Sequence, residues 1–584
     1  LTVHNPGCGA RNMPPALAYF RRRWLAMLAL EQRPLAFGVL GLLHLAALGI
    51  LLRTEDDLVP CMAFVLAWAF LNCGWLALIR RPVVAASISL VTIVVLILLS
   101  QFKQDVLAMS ANFLDLLIID ADTVSFLLTV YPNLKWWVAG TGAAVLPLIA
   151  LFWWLDPLRT RRRWAAVGAA ASLGALTVLS FINPMDREKA FQSVDYVSQF
   201  ARSGVVAMVD LTTKGLLDSD GLIEDRLPAV LPPSCPVAQK LPHIVMVLDE
   251  SSFDISTVPG VKVPPNYQSH FTSFDGKNRA LTIEGAGGPT WYTEYNVLSG
   301  LSPRSFGHFA EFVTRIAAGR VTRSLPNALH QCGYQTYSIY PWLGAFLSAR
   351  YFQKTLGIDH FLDAKDLHSK TVETDDFYYK AAADLIGREK GKAPLFVLSY
   401  LMANHFPWNE RWRPELAPDW RDLGNVSVDG HHIDEYLRRQ EMSARAYRGF
   451  VERLKRDFPN EPFLIVRFGD HQPLFAKRII EPGLDNVSIG RQIDAGDPRY
   501  FTTYYAIDAL NFRPADLSAA TSGLDAAYLP LMVLEAAGVP LDPTFAEQKR
   551  ILARCKGRFY SCSNGAEARR FNRLLIDAGL IKQL

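Results

Sequence analysis

Two apolar runs in this chain end in acid. His243 to Leu248 leads into Asp249-Glu250, and Phe463 to Phe468 leads into Gly469-Asp470-His471, about 220 residues later. A short continuous apolar run between polar turns reads as a strand buried on both faces. In open α/β sheets, ligands bind in the crevice outside the carboxyl ends of such strands. A carboxylate from one end and an Asp-His pair from another would make a cation site of oxygen and imidazole donors, suited to zinc or manganese.

A third segment, Gly285 to Gly300, supplies hydroxyls. Small residues and Pro289 lead into Thr290, after which the pattern becomes helical. Thr290 would then stand at a helix N-terminus, where free backbone N–H groups and the dipole favour a developing anion. Beside a metal its hydroxyl could act as a nucleophile; alone it would be an ordinary N-cap. Thr293 and Ser299 are rival hydroxyls, both expected inside the helix. Other polar residues read as structural. His243 starts a strand, His360 is expected beside Phe361, and His431-His432 fall in a polar loop. Asp249 and Asp254 could assist Glu250 but read rather as exposed or as supporting residues behind the site, and Arg467, inside a strand, calls for an acidic partner.

The elements that must position these groups occupy only part of the 584 residues. Half of the chain is hydrophobic and a fifth charged, which points to a membrane part. Five stretches, Leu35–Leu52, Val59–Ile79, Val83–Phe102, Trp136–Leu155 and Trp164–Ile182, each offer about the 20 apolar residues a bilayer span needs. Arg21, Arg22, Arg23 and Arg33 precede the first. Arg80 and Arg81 separate the second and third, and Arg159, Arg161, Arg162 and Arg163 separate the fourth and fifth. The loop between the first two is acidic (Glu55, Asp56, Asp57). The positive-inside rule then puts the basic clusters in the cytoplasm and everything after Ile182 outside. The net charge of +4 is small for this length and gives no reason to invoke nucleic acid.

The expected organisation is a cytoplasmic basic lead-in (1–34), a five-span transmembrane domain (35–182), a connector (183–240) and an external catalytic domain (241–584). Amphipathic pieces at Phe113–Ile119 and Val124–Tyr131 are expected along the membrane surface. The Leu227–Pro236 stretch marks a boundary. Alternating strands and helices from Leu241 onward indicate a three-layer α/β domain. Tyr334–Tyr340 and Leu395–Tyr400 are further strand candidates, and Glu435–Arg456 and Leu529–Ala537 are helical. Cys235, Cys332, Cys555 and Cys562 fall in the external part, where disulfides persist. Cys555 and Cys562 are close enough for a local pair, although four cysteines allow three pairings.

Taken in order, LDESSFD, GGPTWYTEYNVLSG, GYQTYSIYPWLGAFLSARYF with LGIDHFLD, MANHFPW and FGDHQP resemble the lipoteichoic acid synthase and phosphoglycerol transferase family of membrane-anchored, sulfatase-like proteins in the alkaline phosphatase superfamily. The resemblance implies that Glu250, Thr290, Asp470 and His471 surround one divalent cation (Mn2+, Zn2+ or Mg2+). It makes Thr290 a transiently phosphorylated nucleophile, Arg350 the holder of the substrate phosphate, and His405 a headgroup-side acid or base. The chain departs from the family in having Leu347-Ser348-Ala349-Arg350 where Phe-Trp-Asn-Arg is usual, and so lacks an aromatic wall that Trp342 or Trp291 would have to replace.

The implied reaction moves a phosphoglycerol headgroup from a membrane phospholipid donor, phosphatidylglycerol, to a hydroxyl of an envelope glycan or glycolipid. A monomer in a bacterial inner membrane is implied, with its catalytic domain in the periplasm. Phosphoethanolamine transfer and phosphodiester hydrolysis are the alternatives. Sulfate ester hydrolysis is not expected, because no cysteine stands in the C/S-x-P-x-R setting. A transporter is disfavoured by spans almost free of charge.

Overall fold

The runs that end in acid are strands. The computed structural model describes residues 15–107, 110–118, 124, 127–128, 131, 133–185, 194–213, 215–221, 224–228, 235 and 240–582. Among these, eight strands form one sheet: β1 (His243–Asp249), β2 (Arg279–Thr282), β3 (Gln335–Ile339), β4 (His360–Leu362), β5 (Leu395–Tyr400), β6 (Phe463–Gly469), β7 (Thr502–Leu510) and β8 (Gly523–Asp525). Their order is β4-β3-β5-β1-β6-β7-β2-β8. The five strands from β4 to β6 run parallel, and β7 is antiparallel to both β6 and β2. Every residue of β1, β5 and β6 is buried, as their unbroken apolar sequences require. The register pairs Leu248 with Phe468 and Asp249 with Gly469, so both acid-bearing turns leave the sheet at the same level.

Helices cover both faces. On one, Tyr378, Tyr379, Ala382 and Ile386 of the Asp375–Glu389 helix and Tyr447, Phe450 and Leu454 of the Ile433–Asp457 helix meet Val245, Val247, Val397 and Ile465. On the other, the fully buried Leu529–Ala537 helix lies against β6 and the Thr290–Ser299 helix. The latter stops at Gly300, whose φ of 68° suits glycine. A Cβ there would also come within 2.3 Å of Arg323 Nη1. Two disulfides, Cys235–Cys332 and Cys555–Cys562, are formed. The first closes a separation of 97 residues, a constraint worth roughly 4 to 5 kcal/mol by the chain-entropy argument.

The chain divides into two units, Leu1–Leu116 with Tyr131–Met208, and Leu117–Val130 with Val209–Leu584. In the first unit, five helices are long and apolar enough to cross a membrane: Arg33–Thr54, Leu58–Ile79, Pro82–Gln104, Leu134–Leu155 and Arg162–Ile182. The first is the end of a longer helix from Pro15, so much of the basic lead-in is helical. The buried Asp156 carboxylate accepts Val83 N–H at 2.8 Å and caps the Pro82–Leu107 helix, the kind of partner an orphan helix N-terminus needs. In the acidic loop, Glu55 accepts Val197 N–H at 3.2 Å. Of the two expected amphipathic pieces, Phe113–Ile119 contains a helical turn at Asp115–Ile118. Half of Val124–Tyr131 (125–126 and 129–130) lies outside the described residues.

Candidate active site

Four side chains from three elements converge. Glu250 follows β1, Asp470 and His471 follow β6, and Thr290 is the first residue of its helix. His471 Nε2 is 3.4 Å from Thr290 Oγ1, 3.4 Å from Asp470 Oδ2 and 3.5 Å from Glu250 Oε1. Donor atoms of Glu250, Asp470 and His471 all lie within 4.8 Å of one another, and all three residues are buried. A tetrahedral cation with bonds of about 2.1 Å has ligand–ligand edges of about 3.4 Å, so the residues present fit such an ion.

Supporting contacts fit it too. His471 Nδ1 donates to Gln472 O at 2.8 Å, which turns the Nε2 lone pair toward the acids. Asp470 Oδ1 accepts two amides, from Ser251 at 2.8 Å and His471 at 2.9 Å. Its buried Oδ2 accepts no hydrogen bond among the described residues. Burial, followed by the charge of Asp470, pushes the Glu250 carboxyl well above the carboxylate range; burial also raises Asp470. Two crowded acids that resist ionising are what a divalent cation would relieve.

The backbone that brings these groups together depends on Gly469. A Cβ at that position would lie 1.9 Å from Ser252 O, so only glycine lets the β6 turn close on the β1 turn. Thr293 Oγ1 donates to Asp470 O at 2.6 Å. That rival hydroxyl is therefore a brace between the Thr290 helix and the β6 turn. Ser299 donates to Tyr295 O within its own helix. Thr290, half-buried, remains the hydroxyl at the cluster.

His405 lies five residues past β5, and its Nδ1 donates to Phe406 O at 2.8 Å. Burial lowers its pKa to about 4, so the ring is neutral with a bare Nε2. Arg350 makes its polar contacts elsewhere. Its guanidinium pairs with Asp363 at 2.8 Å and Asp366 at 2.9 Å and donates to Phe361 O. Among the described residues it contacts none of Glu250, Thr290, Asp470 or His471. The two residues before Ala349-Arg350, Leu347 and Ser348, both have left-handed φ, 46° and 59°. Trp291 is buried, with its indole N–H on Glu311 O.

The supporting cast includes residues that the sequence did not single out. Asp249 accepts His270 Nε2 at 2.9 Å and Tyr504 O–H at 2.5 Å. Arg467 donates to His270 O at 2.7 Å, lies over the Tyr447 ring and finds its acid in Asp508 at 3.6 Å. His243 bonds Leu395 N–H and Glu461 as a structural residue. Asp254 accepts Ser256 N–H. His432 bonds Ser427, and His431 sets its edge against Trp408. His360 does not pack beside Phe361: it stacks on Tyr337 at 4.7 Å, because adjacent strand residues face opposite sides of the sheet.

Glu294, on the Thr290 helix, accepts Gln353 Nε2 at 2.8 Å, and the same amide reaches Tyr400 Oη at 2.9 Å. One carboxyl thus ties together the helices of Thr290 and Arg350 and the end of β5. Burial without a cation raises its pKa from 4.5 to about 7. A carboxyl whose pKa rises on folding favours the fold fully below about 4.5, and that contribution is lost as pH climbs through about 7. Glu294→Gln is therefore expected to raise the melting temperature of the full chain at pH 8 and to change it little at pH 4.5. An equal offset at both pH values would contradict a protonated Glu294.

The sheet and this donor set are those of a sulfatase-like α/β domain. Residues 281–488 match the sulfatase family; the matched stretch contains Thr290, Arg350, His405, Asp470 and His471 and leaves out Glu250. The chain is 25% identical over 460 residues to the capsular polysaccharide biosynthesis protein RkpI of Rhizobium meliloti, covering 73% of this chain and 80% of that protein. Among solved structures, the phosphoglycerol transferase GacH of Streptococcus pyogenes, in complex with sn-glycerol-1-phosphate, is 16% identical with a TM-score of 0.45, over 58% of this chain and 84% of its own. The lipooligosaccharide phosphoethanolamine transferase EptA of Neisseria meningitidis is 11% identical with a TM-score of 0.43, over 83% of this chain and 96% of its own.

Proposed function

We propose that this protein is a metal-dependent transferase that moves a phosphoglycerol headgroup from phosphatidylglycerol, through phospho-Thr290, to a hydroxyl of an envelope glycan or glycolipid. The observation that carries the reading is the Thr290 hydroxyl at a helix N-terminus, 3.4 Å from His471 Nε2, which is itself 3.4–3.5 Å from two carboxylates. A divalent cation held by Glu250, Asp470, His471 and Thr290 would lower the hydroxyl pKa and neutralise phosphoryl charge. Thr290 Oγ forms its bond to phosphorus as the bond from phosphorus to the diacylglycerol oxygen breaks. Diacylglycerol takes up a proton and stays in the bilayer. The acceptor hydroxyl then displaces Thr290, and its proton passes to a base. Neutral His405, with Nε2 bare, suits that second task.

Arg350 holds the substrate phosphate by exchanging one partner. Asp366 is 42% exposed and can yield to phosphate, whereas Asp363 is 7% exposed and keeps the guanidinium aimed. The RkpI relative, named for capsular polysaccharide biosynthesis, supports a surface polysaccharide as acceptor. The positive-inside reading of the basic loops supports a multi-pass inner-membrane protein whose catalytic domain faces away from the cytoplasm.

The test is release of fluorescent diacylglycerol from labelled phosphatidylglycerol by the full-length protein with Mn2+ present. Release from phosphatidylglycerol in preference to phosphatidylethanolamine supports the donor assignment. The reverse preference replaces it with phosphoethanolamine transfer, and release from neither lipid contradicts the reading.

A further inference from the structure

We propose that Ser251 is the positioning residue that sets the two metal-binding carboxylates, with its hydroxyl holding Glu250 and its amide holding Asp470. The inference rests on the divalent-cation reading of this site and adds a residue to it. Ser251 Oγ donates to Glu250 Oε1 at 2.8 Å, and Ser251 N–H donates to Asp470 Oδ1 at 2.8 Å. Among the described residues, no other gives one donor to each acid. Its carbonyl is also used, accepting Tyr436 O–H at 2.9 Å, and Gln440 fixes that phenol from behind at 2.9 Å.

The backbone shows what this arrangement costs. Ser251 is fully buried with φ at +51°, a left-handed conformation disfavoured by roughly 1 kcal/mol for a residue with a side chain. That conformation turns the amide toward Asp470 across the sheet. Glycine would adopt it without penalty. A serine at this position therefore points to a need for the hydroxyl, which the neighbouring Glu250 uses. With Oδ1 of Asp470 occupied by two amides, Oδ2 is left facing His471 Nε2 and the cation position.

Ser251→Gly separates hydroxyl from backbone, because it keeps the left-handed turn and its amide while deleting only the donor to Glu250. Mn2+ titration calorimetry on the EDTA-stripped full-length protein is expected to show Ser251→Gly binding roughly 10- to 100-fold more weakly than the parent. Its melting temperature without metal should equal or exceed the parent's. Ser251→Ala, which keeps the strain and loses the hydroxyl, should bind as weakly and melt lower. Parent-like Mn2+ affinity in Ser251→Gly would overturn the proposal while leaving the metal site standing. A parent protein that takes up no Mn2+ would overturn the site reading beneath it, a distinguishable failure.

Discussion

Thr290→Ala is expected to lower headgroup release by roughly 10,000-fold or more, with melting behaviour close to the parent's and Mn2+ still bound, though more weakly, by Glu250, Asp470 and His471. The size follows from the role: without Oγ there is no acceptor for the phosphoryl group, and no other hydroxyl can replace it. Thr293 is committed to Asp470 O and Ser299 to Tyr295 O, both inside the helix. The substitution is mild for the fold, because Thr290 is only half-buried at the first helical position and alanine is a good helix former. Thr290→Ser should keep part of the activity, since the nucleophilic oxygen returns on a freer side chain. Headgroup release by Thr290→Ala at more than a few per cent of the parent's rate would mean that water, not Thr290, attacks phosphorus.

Asp470→Asn is expected to separate stability from activity. The asparagine carbonyl can still accept the amides of Ser251 and His471, so the β6 turn is preserved. Losing the charge removes one of two buried acids that crowd each other, and the metal-free protein should gain about 1 kcal/mol. The same change puts an amide nitrogen where Oδ2 faces His471 Nε2. Mn2+ affinity should fall roughly 100-fold or more, and turnover with it. Chelation of the parent should reproduce the activity loss, with recovery on adding Mn2+. Calorimetry and chemical denaturation measure the two halves separately; a variant that loses stability while keeping Mn2+ would contradict the assignment.

The sequence revealed the strands that carry the site because each is an unbroken apolar run with polar punctuation. Leu395–Tyr400 is found with both ends as expected, and His243–Asp249 and Phe463–Gly469 each extend one residue further into the acidic turn. The Leu529–Ala537 helix also matches. The strands that close the sheet were not visible. β2 has four residues and β4 and β8 three each, too few for a periodic signal, and they exist because neighbouring strands offer them hydrogen bonds. β7 is long but carries Thr502, Thr503 and Asp508 among its apolar residues, and its antiparallel pairing depends on β6.

At the site, the acids and the Asp-His pair stood out as residue types that sit badly after apolar runs, whereas Thr290 follows small residues and Pro289 and stood out only as the first position of a helix. Ser251 was not, because its part rests on a positive φ and a hydrogen bond to a residue 219 positions away. Glu294 was hidden for a similar reason: in a helical pattern it reads as a surface acid, and only the packed fold buries it against Gln353 and Tyr400.

The central claim is a covalent passage of the headgroup through Thr290. Peptide mass spectrometry of the full-length protein, quenched during turnover of phosphatidylglycerol with Mn2+, tests it most directly. The account predicts one glycerophosphoryl group on the peptide containing Thr290, absent from Thr290→Ala and from the chelated protein. Active protein whose Thr290 peptide stays unmodified under conditions that trap the intermediate would contradict it.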